Sequence, residues 1–142
     1  MIMSQKKIKR QAGATGIEVA LVFPALLLVL FGVVEAGVGV YDQNVIAQAS
    51  QEAAREGAAQ TRSRMSTLDI MNVAQNYASD KLITFGWSDS VVVAVDRSSG
   101  TKSGDPLTVT VSYPYNGLAI AKIVNALSEG VVLSAKATMI YE

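Results

Sequence analysis

Residues 13–35 read GATGIEVALVFPALLLVLFGVVE, and this run decides the architecture of the N-terminal part of the chain. Across residues 11–41 the only charged side chains are Glu18 and Glu35. A bilayer hydrocarbon core of about 30 Å requires about 20 mainly apolar residues in a helix. The sequence therefore predicts a transmembrane helix over residues 14–41.

The charges on either side of this helix predict its direction. A basic leader precedes it, with Lys6, Lys7, Lys9 and Arg10, whereas Arg55 is the first basic residue after it. Because an excess of Lys and Arg marks the cytoplasmic side of a membrane helix, the N-terminus is expected in the cytoplasm. Residues 42–142 are then expected to form an exported domain, anchored by a single pass through a membrane.

Three fates of this N-terminus are compatible with the residues alone. The chain could keep its N-terminus as an uncleaved signal anchor. A conventional signal peptide could be cut after the small-x-small sequence at residues 34–36. Alternatively, only the leader, residues 1–13, could be removed by a cut between Gly13 and Ala14, which would leave the apolar helix on the mature protein.

Glu18 is an ionisable side chain near one end of an apolar helix, and such a residue is a functional hypothesis by default. Alternatively, Glu18 is only an acid at the membrane interface near a helix N-terminus, where negative charge is favourable. If the chain is cut after Gly13, Glu18 becomes the fifth residue and the new α-amino group of Ala14 is a natural partner. A pair of this kind, within one chain or between neighbours, would fix the axial register of packed helices during assembly.

Further positions predict how this helix packs in the membrane. Pro24 is tolerated in a membrane helix and predicts a kink. The small residues Gly32, Gly37 and Gly39 leave room for another helix to approach closely. Glu35 is expected either to act like Glu18 nearer the outer interface or to lie among the lipid headgroups.

The remaining sequence predicts a small α+β domain. The long helix is expected to continue as an amphipathic rod to about Arg62, and a capping box at Ser66 and Asp69 opens a second helix. The periodicity then predicts three strands and a third helix. These elements are strands at residues 91–95, 107–113 and 131–141, and a helix at 118–127. We expect an antiparallel three-stranded sheet covered by the long helix, with the two further helices beside it.

Composition excludes several functional classes. Twelve basic residues balance twelve acidic residues, so no net charge recruits nucleic acid. The chain has no cysteine and no histidine, which removes thiolate chemistry, the commonest general base and the commonest metal ligand. Asp80 and Asp89 match no known cation loop, and Trp87 is expected in the core. We therefore predict no catalytic residues, no metal, no cofactor and no enzymatic activity.

The chain resembles TadE-like minor pseudopilins of the tight-adherence (Flp-type, type IV pilin-like) pilus system. Six features carry the resemblance: the leader with Gly13 and Glu18, the FPALLL and FGVVEAG runs, the helix at 51–57, the strand end at 109–115 and the final ATMIYE. The resemblance implies cleavage by a prepilin peptidase, insertion in the inner membrane and contact with lipid. It further implies assembly with other pilin and pseudopilin subunits on the inner-membrane assembly platform, as a minor subunit.

A membrane-anchored periplasmic binding module is the alternative from another functional class. In that case the exported domain would hold a ligand or a partner, and the helix would serve only as an anchor. The N-terminal residue of the mature protein distinguishes the possibilities, because Ala14 indicates a pilin-like protein. A start at Gly37 would indicate a secreted domain, and an intact Met1 would indicate a simple anchor.

Overall fold

A single long helix dominates the computed structural model, which describes the backbone of residues 8–59, 63–86 and 90–142 and side chains from residue 16 onward. Helix α1 extends over Ile8–Ala58 and passes through Pro24 without a break. The helix ends before Arg62, the predicted end of the rod, which itself lies outside the described residues. Helix α1 is long and apolar enough to cross a membrane.

Helix α1 divides into two parts with different surroundings. Nearly all residues from 16 to 34 are exposed, with only Leu27 and Gly32 partly covered. From Glu35 onward one face of the helix is buried against the domain. The small and apolar residues of this face form part of the core: Val45, Ile46, Ala49, Ala53, Ala54 and Ala58. The second part of α1 is therefore the central helix of the domain, with one buried face as expected of the predicted amphipathic rod.

Helix α2, Thr67–Ser79, begins with the predicted capping box. The Asp69 backbone N–H donates to Ser66 Oγ at 3.1 Å, and the Ser66 N–H donates to Asp69 Oδ2 at 3.3 Å. Its buried side chains are those of Ile70, Ala74 and Ala78, which recur at the spacing of one helix face. Local sequence signals thus define both the start and the buried side of this helix.

Three strands form one antiparallel sheet in the order β1-β2-β3. Strand β1 is Val92–Asp96, β2 is Pro106–Tyr115 and β3 is Val131–Ile140. Helix α3, Ile120–Leu127, connects β2 to β3. The predicted α+β class, the antiparallel three-stranded sheet and the two further helices are confirmed.

The direction of β2 fixes which end of the domain faces the exposed part of α1. At one end of this strand, Leu107 lies against Gly57, near the end of α1. At the other end, the Tyr115 hydroxyl donates to the Glu35 carbonyl at 3.0 Å. The strand therefore runs antiparallel to α1, back towards its exposed part. The β2–β3 connection, including α3, consequently lies at the end of the domain nearest to that part.

Candidate functional site

The N-terminal part of α1 carries the predicted processing and assembly residues. The backbones of Gly13 and Ala14 lie within the helix, while Lys6 and Lys7 of the leader fall outside the described residues. Glu18 is exposed, and its apolar surroundings include Val19, Val22, Phe23 and Leu26. Within the part of the chain that the structure describes, no residue forms an ion pair or a hydrogen bond with the Glu18 carboxylate. This side chain is available for a partner outside its own domain.

The length of the exposed apolar part matches a bilayer. Residues 16–34 lie in one continuous helix, and at 1.5 Å per residue such a segment is about 28 Å long. This length is close to the hydrocarbon thickness of about 30 Å. The span predicted over 14–41 remains a prediction; in the structure the domain covers one face of α1 from Glu35 onward.

Glu35 connects α1 to α3 and is only 4% exposed. Its carboxylate accepts hydrogen bonds from three successive backbone N–H groups at the start of α3: Ala119 at 3.2 Å, Ile120 at 2.7 Å and Ala121 at 2.8 Å. The first N–H groups of a helix have no partner within the helix, and they favour a nearby negative charge. Because Ala119 supplies no capping side chain, Glu35 acts as the N-cap of α3 from a different helix.

Two glycines allow this close contact. A Cβ atom at Gly117 would overlap the Glu35 carboxylate, and one at Gly32 would come within 2.7 Å of Ile120 Cδ1. Gly32 therefore admits the close approach of a helix, and that helix is α3 of the same chain. In contrast, no described atom lies within 4 Å of the Cβ position at Gly37, and Gly39 makes only an ordinary contact with Tyr115.

Asp42 is a second buried acid on α1, within the part that packs on the domain. Its side chain is 0% exposed, and Oδ1 accepts from the Ile83 backbone N–H at 3.0 Å. No described residue hydrogen-bonds Oδ2. Burial raises the pKa of the Asp42 carboxyl, and the hydrogen bond from Ile83 opposes this effect. Burial also raises the pKa of the nearby Tyr115 phenol, with smaller contributions from the carboxylates of Glu35 and Asp42.

This environment predicts that Asp42→Asn is tolerated and is stabilising at neutral pH. An acid with a raised pKa in the folded state favours folding below its unfolded-state pKa, and this contribution is lost as the pH rises through the folded-state value. The amide removes the ionised form and keeps an acceptor for Ile83. We expect the variant at pH 7 to gain about 1 kcal/mol in unfolding free energy, with a smaller gain at pH 4. Thermal unfolding of the full chain in detergent micelles at both pH values measures the difference.

Asp42→Ala is the matched control for this prediction. It also removes the charge but loses the acceptor for the Ile83 N–H, so it should be less stable than Asp42→Asn at both pH values. An asparagine variant that is less stable than wild type at pH 7 would contradict the assignment of Asp42 as a buried, incompletely paired carboxyl.

Little else in the domain has the arrangement of a chemical site. No group of three or more Asp, Glu, Cys or His side chains that could hold a metal ion occurs in residues 16–59, 63–86 and 90–142. Of the two acids that match no known cation loop, Asp80 is described but Asp89 lies outside the described residues, as does Trp87. The prediction for Trp87 therefore remains a prediction.

The geometry defines a class of protein in which one N-terminal helix supplies both an exposed apolar segment and the core of a small α+β domain. The family model of TadE-like proteins matches residues 13–55, from the predicted cleavage glycine through Glu18 and Glu35 to Arg55. The predicted resemblance to TadE-like proteins is thus confirmed, over this segment of the chain. The family consists of structural proteins associated with the tight-adherence pilus, which suggests a pilus-associated role here. No curated protein and no solved structure matches the chain.

Sequence reasoning did not find the capping contact between Glu35 and α3. Two local signals were present. The residue before α3 is Ala119, which cannot cap a helix with its own side chain. A glycine stands two residues earlier, at position 117, where a Cβ atom would overlap the Glu35 carboxylate. Both features indicate that a side chain from elsewhere approaches the backbone at this point.

Proposed function

We propose that this protein is a minor pilin-like subunit, a pseudopilin, that takes part in assembling a tight-adherence pilus. The observation that carries the proposal is the continuity of α1. The same helix presents an exposed apolar segment with Glu18 and then forms the core of the domain. The family match covers both parts of this helix. In this function the chain is structural and performs no catalysis.

The position of Glu35 supports removal of the leader alone. A cut after residue 36 would separate Gly32 and Glu35 from the domain that they contact, and α3 would lose its cap. A cut between Gly13 and Ala14 would preserve every one of these contacts. The protein would then stay in the inner membrane with its domain exported. Its partners would be lipid, a prepilin peptidase, other pilin and pseudopilin subunits and the inner-membrane assembly platform, with no nucleic acid.

Assembly in this proposal depends on the charge of Glu18, which remains in the apolar segment after cleavage. After the cut, the α-amino group of Ala14 would titrate near neutral pH if unperturbed. Glu18 would pair with this amine on its own chain or on a neighbouring subunit, because an unpaired charge in apolar surroundings is costly. The exposed surface of α1 around Pro24 and Gly37 remains uncovered by the domain and is free to face neighbouring helices.

Cleavage is tested by expressing the full chain with a prepilin peptidase and sequencing the N-terminus of the membrane-bound product. We expect the product to begin at Ala14. Gly13→Val should block the cut and leave an intact leader. Gly16→Val is the matched control, because it changes a glycine of the same helix with no atom within 4 Å of its Cβ position, and it should still be cut. A wild-type product beginning at Gly37 or at Met1 would contradict the proposal.

A membrane-anchored binding module is the second candidate, and one observation favours it. A groove of about 350 Å³ lies between α1, α3 and β3. Apolar and small side chains line most of it, and its lining includes Ala36, Tyr115, Val124 and Leu133. A product that keeps Met1 in the presence of the peptidase, together with saturable binding of an apolar ligand, would support this candidate instead.

A further inference from the structure

Helix α3 occupies the end of the domain that faces the exposed apolar part of α1. Ile120 lies against Gly32, and Glu35 holds the first turn of α3. Gly32 and Glu35 are also the residues at which the exposed segment ends and the domain begins. If residues 16–34 cross the bilayer, α3 lies at the level where α1 leaves it.

The side chains that α3 and its flanking residues expose are predominantly apolar. Leu127 is 83% exposed, and other apolar side chains on the same connection and at the start of β3 are also accessible to solvent. These side chains are those of Leu118, Ile120, Ile123, Val124 and Val132. Together with Leu127 they are called the α3 patch below. Through Ile120 and Gly32, this patch is continuous with the apolar surface of α1. An exposed apolar patch that adjoins a transmembrane segment needs a partner of the same chemistry.

Partly buried polar side chains of this connection hold it in place, whereas Lys122 and Glu129 of the same connection are exposed. Asn125 Nδ2 donates to Asn116 Oδ1 at 3.1 Å, and Asn125 Oδ1 accepts from the Val131 N–H at 2.9 Å. The Glu35 carboxylate occupies the three N–H groups at the other end of α3. The first turn of α3 is thus capped within the protein, and Asn125 holds the backbone at the start of β3. The apolar side chains can leave water without leaving those backbone groups unpaired.

We infer that the α3 patch is a docking surface for the lipid bilayer and lies in the interfacial layer of the membrane face from which α1 emerges. A short amphipathic helix with its apolar side chains at the headgroup boundary binds a membrane in this way. The inference rests on the proposed membrane span of α1 and adds a second contact, which would fix the orientation of the domain relative to the bilayer. The patch contains six residues, fewer than the roughly 20 to 30 per side of a stable protein interface. This difference favours lipid over a second copy.

The absence of cysteine in the chain makes the inference directly testable. A nitroxide spin label is attached to Leu127→Cys in the full chain, reconstituted in phosphatidylcholine–phosphatidylglycerol vesicles. Collision rates with oxygen, which concentrates in lipid, and with a water-soluble nickel chelate report the surroundings. Leu68→Cys is the matched control. Leu68 is a 69% exposed leucine on α2, and it adjoins residues that pack near the C-terminal end of α1, away from the exposed segment. Leu28→Cys, in the exposed part of α1, is the lipid reference.

We expect the ratio of oxygen to nickel collisions at position 127 to lie between those at 28 and 68, and to exceed that at 68 by about threefold or more. Equal ratios at 127 and 68, with a lipid-like ratio at 28, would overturn the inference and leave the membrane span intact. Water-like ratios at all three positions would overturn both the inference and the proposed span. Protection of position 127 from both reagents that increases with protein density would identify a second copy as the occupant, which would also overturn the inference.

Discussion

Replacing Glu35 with alanine is expected to lower the unfolding free energy of the protein by about 2–3 kcal/mol. The substitution leaves the N–H groups of Ala119, Ile120 and Ala121 without their acceptor, and the Ala121 N–H is in a buried contact. It also removes the negative charge at the N-terminus of α3. We expect α3 to lose its structure before the sheet does. Amide hydrogen exchange and thermal unfolding of the full chain in micelles measure the local and global effects.

Two controls separate the cap from a general effect of charge. Glu129→Ala removes an exposed acid just after α3 and should change stability by no more than about 0.5 kcal/mol. Glu35→Gln keeps the length of the side chain and one acceptor oxygen, so its loss should fall between those of the two alanine variants. If Glu35→Ala were as stable as Glu129→Ala, the three hydrogen bonds would not hold α3 in the protein.

The elements of the domain were predictable because their signals are local. A capping box places the start of α2 within four residues of sequence. A strict two-residue alternation defines β2, where Leu107, Val109, Val111 and Tyr113 are all buried. The third strand follows the same rule, although it ends at Ile140 rather than at 141. In each case the residues that decide the structure are neighbours in the chain.

The role of Glu35 was not predictable in the same way, because it depends on a contact between residues far apart in sequence. Glu35 and Ile120 are 85 positions apart. In the sequence, Glu18 and Glu35 look alike, since each is a single acid within the same apolar helix. Only the position of the domain distinguishes them. It covers Glu35 and leaves Glu18 exposed.

Because of this difference, the charge of Glu35 is used within the chain, whereas the charge of Glu18 is free to act between chains. The Glu35 carboxylate is buried and accepts three hydrogen bonds from α3, so it is not exposed to a neighbouring subunit. Glu18 has no partner among the described residues, yet it lies in the segment whose exposed length fits the bilayer. A charge left unpaired in such a segment is costly unless another group approaches it. Of the two acids, Glu18 is therefore the one that can respond to assembly.

Glu18→Ala is expected to leave the protein processed and inserted in the membrane but to reduce its incorporation into the pilus assembly by about tenfold or more. Breaking a buried charge pair by removing one member costs about 3–5 kcal/mol, and 1.4 kcal/mol corresponds to a tenfold change in an equilibrium constant. The domain should be unaffected, because Glu18 makes no described contact with it. Cross-linking of the membrane-bound subunit to other pilus proteins, with piliation counted in parallel, measures incorporation.

Two further variants determine whether the charge itself is responsible. Glu18→Gln keeps the shape and the hydrogen-bonding oxygen but cannot form an ion pair with the Ala14 amine, so it should resemble the alanine variant. Glu56→Ala removes an exposed acid from the same helix, beyond the apolar segment, and should assemble normally. Normal piliation by Glu18→Ala would rule out the assembly-register role. If only Glu18→Gln piliates normally, the contact of Glu18 is a neutral hydrogen bond and not an ion pair. If Glu18→Ala assembles normally, the register between subunits depends instead on the packing of α1 around Pro24 and Gly37, where the helix surface is open.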